Sequence, residues 1–198
     1  MLYGDYLKSK GFIAWQPSTW PEPRDSYDSE FKDTLRIIFE ESLISEINNV
    51  IKDAPTLEHR GHVVALSILC AIDTLSSYAF KDLKSKPCKK CGRGDNVGRR
   101  YQKYIENFFP REYQPFAKKI YKLYRNSITH SWNLFEAGMT PDAQRITEIN
   151  GVINLGLFDF FTALAFSLNN FMERLKVDTV LQTTALARYS ELKRTARP

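Results

Sequence analysis

Residues 63–72 have the sequence VVALSILCAI, which is apolar on nearly every side when it is drawn as a helix. A helix without a polar face has to be covered by other elements, so this run predicts the central helix of a bundle, from about 57 to 83. Cys70 is expected to lie in the core. Asp73 follows the run, and a carboxylate near a core has to be paired or neutralised. We therefore expect Asp73 to be a structural hydrogen-bonding residue, with a part in a functional site as the alternative.

The periodicity of apolar residues predicts further helices on both sides of this one. One spans about residues 31–53, where apolar side chains recur every four positions. A short helix is expected from 101 to 109, a longer helix from 113 to 128, and a strong helix from about 157 to 175. The pattern lapses between the last two helices, so the residues around Gly138 are expected to form an irregular connector.

The chain is expected to fold as one helical domain, residues 31–176, with irregular ends. Three prolines favour an extended arm over residues 1–30, and residues 177–198 are expected to be a weakly helical tail that frays. Within the domain, residues 84–98 are typical of a basic loop. The Asn-Gly pair within residues 145–155 predicts a small β-hairpin. The predicted fold class is all-α, a bundle of about five helices with a hairpin insertion.

Composition sets further bounds. With 198 residues, of which 43% are hydrophobic, the chain can bury one sizeable core. Three cysteines, an odd number, argue against a disulfide framework and suit a reducing compartment. No fully apolar run approaches the ~18 residues of a membrane span, and the first residues lack the pattern of a signal peptide. A cytoplasmic protein without membrane partners is therefore expected.

Basic residues are concentrated in one part of the chain. Residues 81–125 contain 14 Lys and Arg against 4 Asp and Glu, a net charge of +10, whereas residues 1–60 contain 7 against 11, a net charge of −4. A one-sided basic region suits a polyanionic partner, because neutralising phosphates releases counterions. The alternative is a solvated face whose lysines only keep the protein in solution.

The segment from Arg125 to His130 combines residue types that suit proton transfer and phosphate binding. Histidine transfers protons near neutral pH, since its ordinary pKa is about 6.5, and the planar cation of arginine suits phosphate oxygens. Asn126 shares a helix face with His130 and is a candidate to orient the histidine or to hydrogen-bond the phosphate. On an ideal helix Arg125 and His130 point ~140° apart, so one copy of the segment does not form a closed site.

The spacing of Arg125 and His130, late in a tyrosine-rich helix, resembles the Arg-x4-6-His signature of the HEPN superfamily. Residues 71–75 and 99–113 also resemble an uncharacterised bacterial branch of that family. The resemblance extends over roughly residues 31–175, and the segment that ends at His130 is its specific part.

This resemblance implies a HEPN-like helical bundle and, as in many members, a metal-independent ribonuclease of toxin–antitoxin or antiphage systems. It also implies a homodimer, in which the motif helices of two subunits meet and both Arg125/His130 sets line one cleft. RNA is then the expected substrate, 2′,3′-cyclic phosphate the expected product end, and an antitoxin or other protein a candidate partner. Trp132 stands where a toxin branch of the family has tyrosine. No role that depends on a tyrosine hydroxyl at this position is therefore expected here.

Cys88 and Cys91, followed by Gly92, have the spacing of half a zinc knuckle, but a structural zinc ion takes four ligands. His59 and His62 stand near the start of the predicted central helix, too far from the loop that follows its end to complete the site. Two such loops that meet across a dimer would supply four cysteines. Free thiols on a basic loop are the alternative.

Three classes of function therefore remain open. The first is a dimeric ribonuclease whose basic region guides RNA to Arg125 and His130. The second is a non-catalytic module that binds nucleic acid or a protein through the same surface, and the third is a structural helical protein stabilised by a zinc loop. For the first two, candidate contacts to the RNA backbone are chosen by charge and proximity in sequence: Arg99, Arg100, Lys118 and Lys122.

Overall fold

The computed structural model describes residues 31, 33–35, 37, 43–53, 61–81, 83, 97–126, 137–140 and 145–195, with the backbone alone for 51–53 and 126. Within these residues the chain is largely helical and contains one small sheet, which confirms the helical class expected from the sequence. The expected arm over residues 1–30 lies outside the described residues. So does the expected loop over 84–98, except for Val97 and Gly98, with which a helix begins.

The helices of nine residues or more in the described chain follow the predicted order. They are α1 (Ser45–Asp53), α2 (Gly61–Ala79), α3 (Val97–Phe108), α4 (Leu157–Val177) and α5 (Thr179–Thr195). The apolar run at 63–72 predicted α2, and apolar periodicity predicted α3 and α4. Helix α1 covers the second half of the helix expected over 31–53.

The segment that carries Arg125 is not the single α-helix that periodicity predicts. It consists of a 3₁₀ turn (Gln114–Phe116), one α turn (Ala117–Lys119) and a π-helix (Ile120–Asn126). We refer to Gln114–Asn126 as the Arg125 helix. Hydrogen bonds in a π-helix run from residue i to i+5, so the ~140° separation expected for α geometry does not apply here. Such segments are rare and often lie at functional sites.

Helix α2 is the centre of the bundle, as its apolar composition predicts. It contacts α1, α3, α4, α5 and the Arg125 helix. Its length and composition also meet the criteria for a membrane span, with 61% of the apolar window buried inside the protein. The prediction that Cys70 lies in the core is wrong, since this residue is exposed. Val63 and Thr74 share its helix face and are exposed as well, so the described elements leave this face of α2 uncovered.

The hairpin predicted over 145–155 is confirmed. Strands β2 (Thr147–Ile149) and β3 (Val152–Gly156) pair antiparallel, with Ile149 opposite Val152. Asn150 and Gly151 form the turn and both have positive φ, 52° and 81°, the backbone conformation for which this residue pair is favoured.

A further strand, β1 (Ala137–Thr140), replaces the irregular connector expected around Gly138 and pairs in parallel with β3. Gly138 is opposite Asn154, and a β-carbon at Gly138 would lie 2.1 Å from Asn154 Oδ1, so a larger residue at 138 would require the Asn154 side chain to move. The buried hydroxyl of Tyr124 is shared between the carbonyl oxygens of Gly138 (2.9 Å) and Ile153 (3.0 Å). Tyr124 thereby joins the Arg125 helix to β1 and β3.

The weakly helical tail expected after residue 177 is a regular helix, α5, over Thr179–Thr195. Its buried residues Leu181, Ala185 and Tyr189 recur every four positions and face α2 and α4. Asp178 caps its start by accepting a hydrogen bond from the backbone N–H of Leu181 at 2.9 Å. Packing against two core helices stabilises a segment whose own sequence has little helical character.

Candidate functional site

Arg125 and Asp73 form an ion pair between the Arg125 helix and α2. Arg125 Nη2 donates a hydrogen bond to Asp73 Oδ2 at 2.9 Å, and the two side chains are 22% and 26% exposed. Asp73 therefore has the structural hydrogen bond that was expected, and its partner is the arginine of the candidate motif. A part for Asp73 in a functional site stays a prediction.

Tyr121 lies against the guanidinium of Arg125. The guanidinium carbon is 5.7 Å from the centroid of the Tyr121 ring, a cation–π distance. Two further neighbours of this ring come from α3: the Tyr101 ring, at 5.3 Å between centroids, and Gly98. A β-carbon at Gly98 would lie 2.7 Å from Tyr121, so glycine is what allows the start of α3 to approach the ring so closely. Aromatic packing from α3 thus fixes the surface on which Arg125 rests.

The electrostatic surroundings keep Arg125 cationic. Partial burial acts to lower the pKa of Arg125, but the hydrogen bond and negative charge of Asp73 outweigh burial, and the pKa is raised. A planar, permanent cation at this position suits the oxygens of a phosphate group. A phosphate that binds Arg125 has to compete with Asp73 for the same guanidinium.

Cys70 stands one helical turn before Asp73. Burial, and secondly the charge of Asp73, raise the pKa of the Cys70 thiol. The thiol is therefore protonated at neutral pH, and because the thiolate is the reactive species, Cys70 is a poor nucleophile.

The candidate arginines of the RNA surface stand at the start of α3. Arg99 is exposed, whereas Arg100 is half-buried and its Nε is buried with no hydrogen-bond partner among the described residues. Gly98 and Tyr101 flank the two arginines and both contact Tyr121. The structure therefore brings the backbone of both arginines close to the middle of the Arg125 helix.

The candidate lysines, Lys118 and Lys122, are exposed on the Arg125 helix itself. In the part of the chain that the structure describes, neither forms an ion pair. Lys119, between them, is instead paired with Glu148 of β2 at 2.6 Å. Lys118 and Lys122 thus have the surface charge that a polyanion requires, and Lys119 is a natural comparison residue.

The remaining candidate residues fall outside the described structure. His130, Cys88 and Cys91 lie outside the described residues, and for Asn126 only the backbone, at the end of the π-helix, is described. Among the described residues, no three or more His, Cys, Asp or Glu side chains cluster as they would around a metal ion. The zinc loop and the role of His130 stay predictions.

Two residues of the site were not identified from the sequence. Tyr101 and Tyr121 were interpreted only as apolar positions of helices. Tyr121 stands four residues before Arg125, a spacing that often places an aromatic ring beside a cation, and this signal was available. The packing of Tyr101 against Tyr121 depends on how α3 crosses the Arg125 helix, and no local pattern predicts it.

No family model, curated protein or solved structure matches this chain.

Proposed function

We propose that this chain is a metal-independent endoribonuclease of the HEPN type, in which Arg125 binds the phosphate and His130 transfers protons. The observation that carries the proposal is the environment of Arg125. The Arg125 side chain is 22% exposed, is paired with Asp73 and lies against Tyr121. It belongs to the Arg125 helix, which also carries the exposed Lys118 and Lys122. A surface arginine that only aids solubility does not need this support.

The chemistry follows from these residue types. The ribose 2′-hydroxyl attacks the adjacent phosphorus and the 5′-oxygen leaves, which gives a 2′,3′-cyclic phosphate and a 5′-hydroxyl. The 2′-oxygen loses one proton and the 5′-oxygen gains one, so the step consumes no proton and no electron. His130 serves these transfers, Arg125 stabilises the charge on the phosphorane, and Asn126 orients the histidine or binds the phosphate.

In the proposed enzyme the active unit is a homodimer. One motif contributes one histidine, whereas cleavage involves two proton transfers, a base at the 2′-oxygen and an acid at the 5′-oxygen. Two motif helices that meet at a two-fold axis bring both Arg125/His130 sets into one cleft. We expect an antitoxin or another protein partner to inhibit a toxin or antiphage effector of this kind.

The test is cleavage of an RNA pool in excess EDTA, with a fully 2′-O-methylated pool beside it. We expect cleavage of the RNA alone, with cyclic phosphate ends, and no cleavage by His130→Ala. The methylated pool lacks the attacking hydroxyl but keeps the phosphates, so it separates binding from chemistry. Cleavage of the methylated pool, or cleavage that requires an added metal ion, would contradict the proposal.

The second candidate is a non-catalytic module that binds nucleic acid. Lys118 and Lys122 are exposed and form no ion pair with any residue that the structure describes. They favour this function independently of His130, because they supply backbone contacts whether or not the chain performs chemistry. Salt-sensitive binding of both pools without cleavage of either identifies this function.

A further inference from the structure

The hydroxyl of Tyr101 is buried in the core of the protein. The residue is 0% exposed, and its hydroxyl has no partner among the described residues. Other buried tyrosines of the same core are satisfied: Tyr104 shares a hydrogen bond with Ser167, and Tyr113 donates to Asp159. A buried hydroxyl without a hydrogen bond lowers the stability of the folded protein. Such groups are rare, so a functional role for the Tyr101 hydroxyl is worth considering.

The Tyr101 hydroxyl belongs to the cluster around Arg125. The Tyr101 ring packs on Tyr121, Tyr121 lies against Arg125, and Arg125 is paired with Asp73. Burial, and secondly the charge of Asp73, hold the pKa of Tyr101 well above its ordinary value. The hydroxyl therefore keeps its proton at neutral pH. It is a donor without a hydrogen bond among the described residues, and it belongs to the cluster that contains the Asp73 carboxylate.

We infer that Tyr101 is a positioning residue. Its hydroxyl donates a hydrogen bond to Asp73 when a phosphodiester replaces Asp73 as the partner of Arg125. The inference rests on the proposed function, since it assumes that Arg125 binds phosphate. In the structure without RNA, Asp73 is paired with Arg125. The phosphate therefore has to separate the guanidinium from Asp73 in order to bind it. Asp73 is only 26% exposed, and losing its cation leaves a poorly solvated charge. By donating a hydrogen bond to Asp73, the Tyr101 hydroxyl offsets that loss. In the same step the hydroxyl gains a hydrogen-bond partner of its own.

This exchange of partners has a signature that a purely structural tyrosine lacks. Removing the Tyr101 hydroxyl breaks no hydrogen bond among the described residues and removes a buried polar group that lacks one, so the free energy of unfolding should stay level or rise. The same change weakens RNA binding, because the cost of freeing Arg125 from Asp73 is no longer offset. Tyr104, three residues along α3 and equally buried, is the matched control, since its hydroxyl already has a partner.

The experiment measures binding of a fluorescent 2′-O-methyl oligonucleotide and urea unfolding for the full chain and its variants. We expect Tyr101→Phe to weaken binding about tenfold, the usual worth of a hydrogen bond to a charged group, without loss of stability. Tyr104→Phe should lose stability and bind normally. Asp73→Asn should bind at least as tightly as the wild type, because the competitor for Arg125 is gone, and adding Tyr101→Phe to it should change nothing further.

The outcomes separate the inference from the proposed function. Loss of stability in Tyr101→Phe overturns the inference, as does unchanged binding, or an equal loss of binding in the Asp73→Asn background. If Arg125→Ala weakens binding while Tyr101→Phe does not, the proposed function stands and the inference fails. If Arg125→Ala binds as the wild type does, the proposed function itself fails.

Discussion

Asp73 and Arg125 are 52 residues apart in the sequence and are joined by an ion pair of 2.9 Å. Fully exposed pairs contribute about 0–1 kcal/mol, but these side chains are mostly buried, so a larger share of their attraction survives screening by solvent. We expect a double-mutant cycle of Asp73→Ala and Arg125→Ala in urea unfolding to give a coupling free energy of about 1 kcal/mol. A coupling near zero would show that the pair does not hold Arg125 in place.

Binding of RNA by the Arg125 helix predicts a specific salt dependence. The logarithm of the affinity falls as the logarithm of the salt concentration rises, and each phosphate contact to a single strand makes that fall steeper by about 0.7. Changing Lys118 and Lys122 together to Gln should therefore make the fall about 1.4 less steep. Lys119→Gln is the matched control, because Lys119 is already paired with Glu148. If net charge alone attracts the RNA, Lys119→Gln should have half the effect of the double change, in proportion to the charges removed.

A shared cleft predicts that inactive subunits suppress active ones. The double variant Arg125→Ala with His130→Ala lacks both proposed site residues, so it should not trap RNA, yet it still dimerises. After subunit exchange, an excess of this variant should reduce cleavage by a fixed amount of wild type far below that of the wild type alone. Mixing without exchange is the control and should leave the rate unchanged. A rate that is also unchanged after exchange would show that each subunit works alone.

Tyr124 predicts a link between the sheet and the site. Tyr124→Phe removes the hydroxyl shared by the carbonyl oxygens of Gly138 and Ile153, and should lower the free energy of unfolding by about 1–2 kcal/mol. The cleavage rate should fall as well, because the Arg125 helix loses its anchor to β1.

Tyr113→Phe is the control for that measurement. It removes a hydrogen bond of 2.8 Å to the buried Asp159 of α4 and should also lower stability. If both variants are destabilised but cleave RNA equally well, the anchor does not position the site.

Local patterns in the sequence predicted those elements whose character is set locally. The apolar run at 63–72 predicted α2, and the Asn150-Gly151 pair predicted the hairpin, because that turn needs positive φ at both residues. Strand β1 was missed because its partner β3 is separated from it in sequence and pairs in parallel. Helix α5 was underestimated because contacts with α2 and α4, rather than its own sequence, stabilise it.

The sequence also predicted only part of the candidate site. Asp73 was recognised as needing a partner because burying a carboxylate is costly, but the sequence did not show that Arg125 was this partner. The π-helix and the buried hydroxyl of Tyr101 depend on how three elements pack together. The HEPN resemblance, the dimer and the role of His130 stay predictions, and they rest on the Arg125–His130 spacing.

The central claim is that Arg125 binds the scissile phosphate of RNA, and the most direct measurement is the single-turnover rate of RNA cleavage in excess EDTA. We predict that Arg125→Ala lowers this rate about a hundredfold, as loss of a transition-state donor does, while the fold is retained. Arg125→Lys should recover only part of the rate, since lysine lacks the planar fork that binds two oxygens. Cleavage by Arg125→Ala at the wild-type rate would contradict the account.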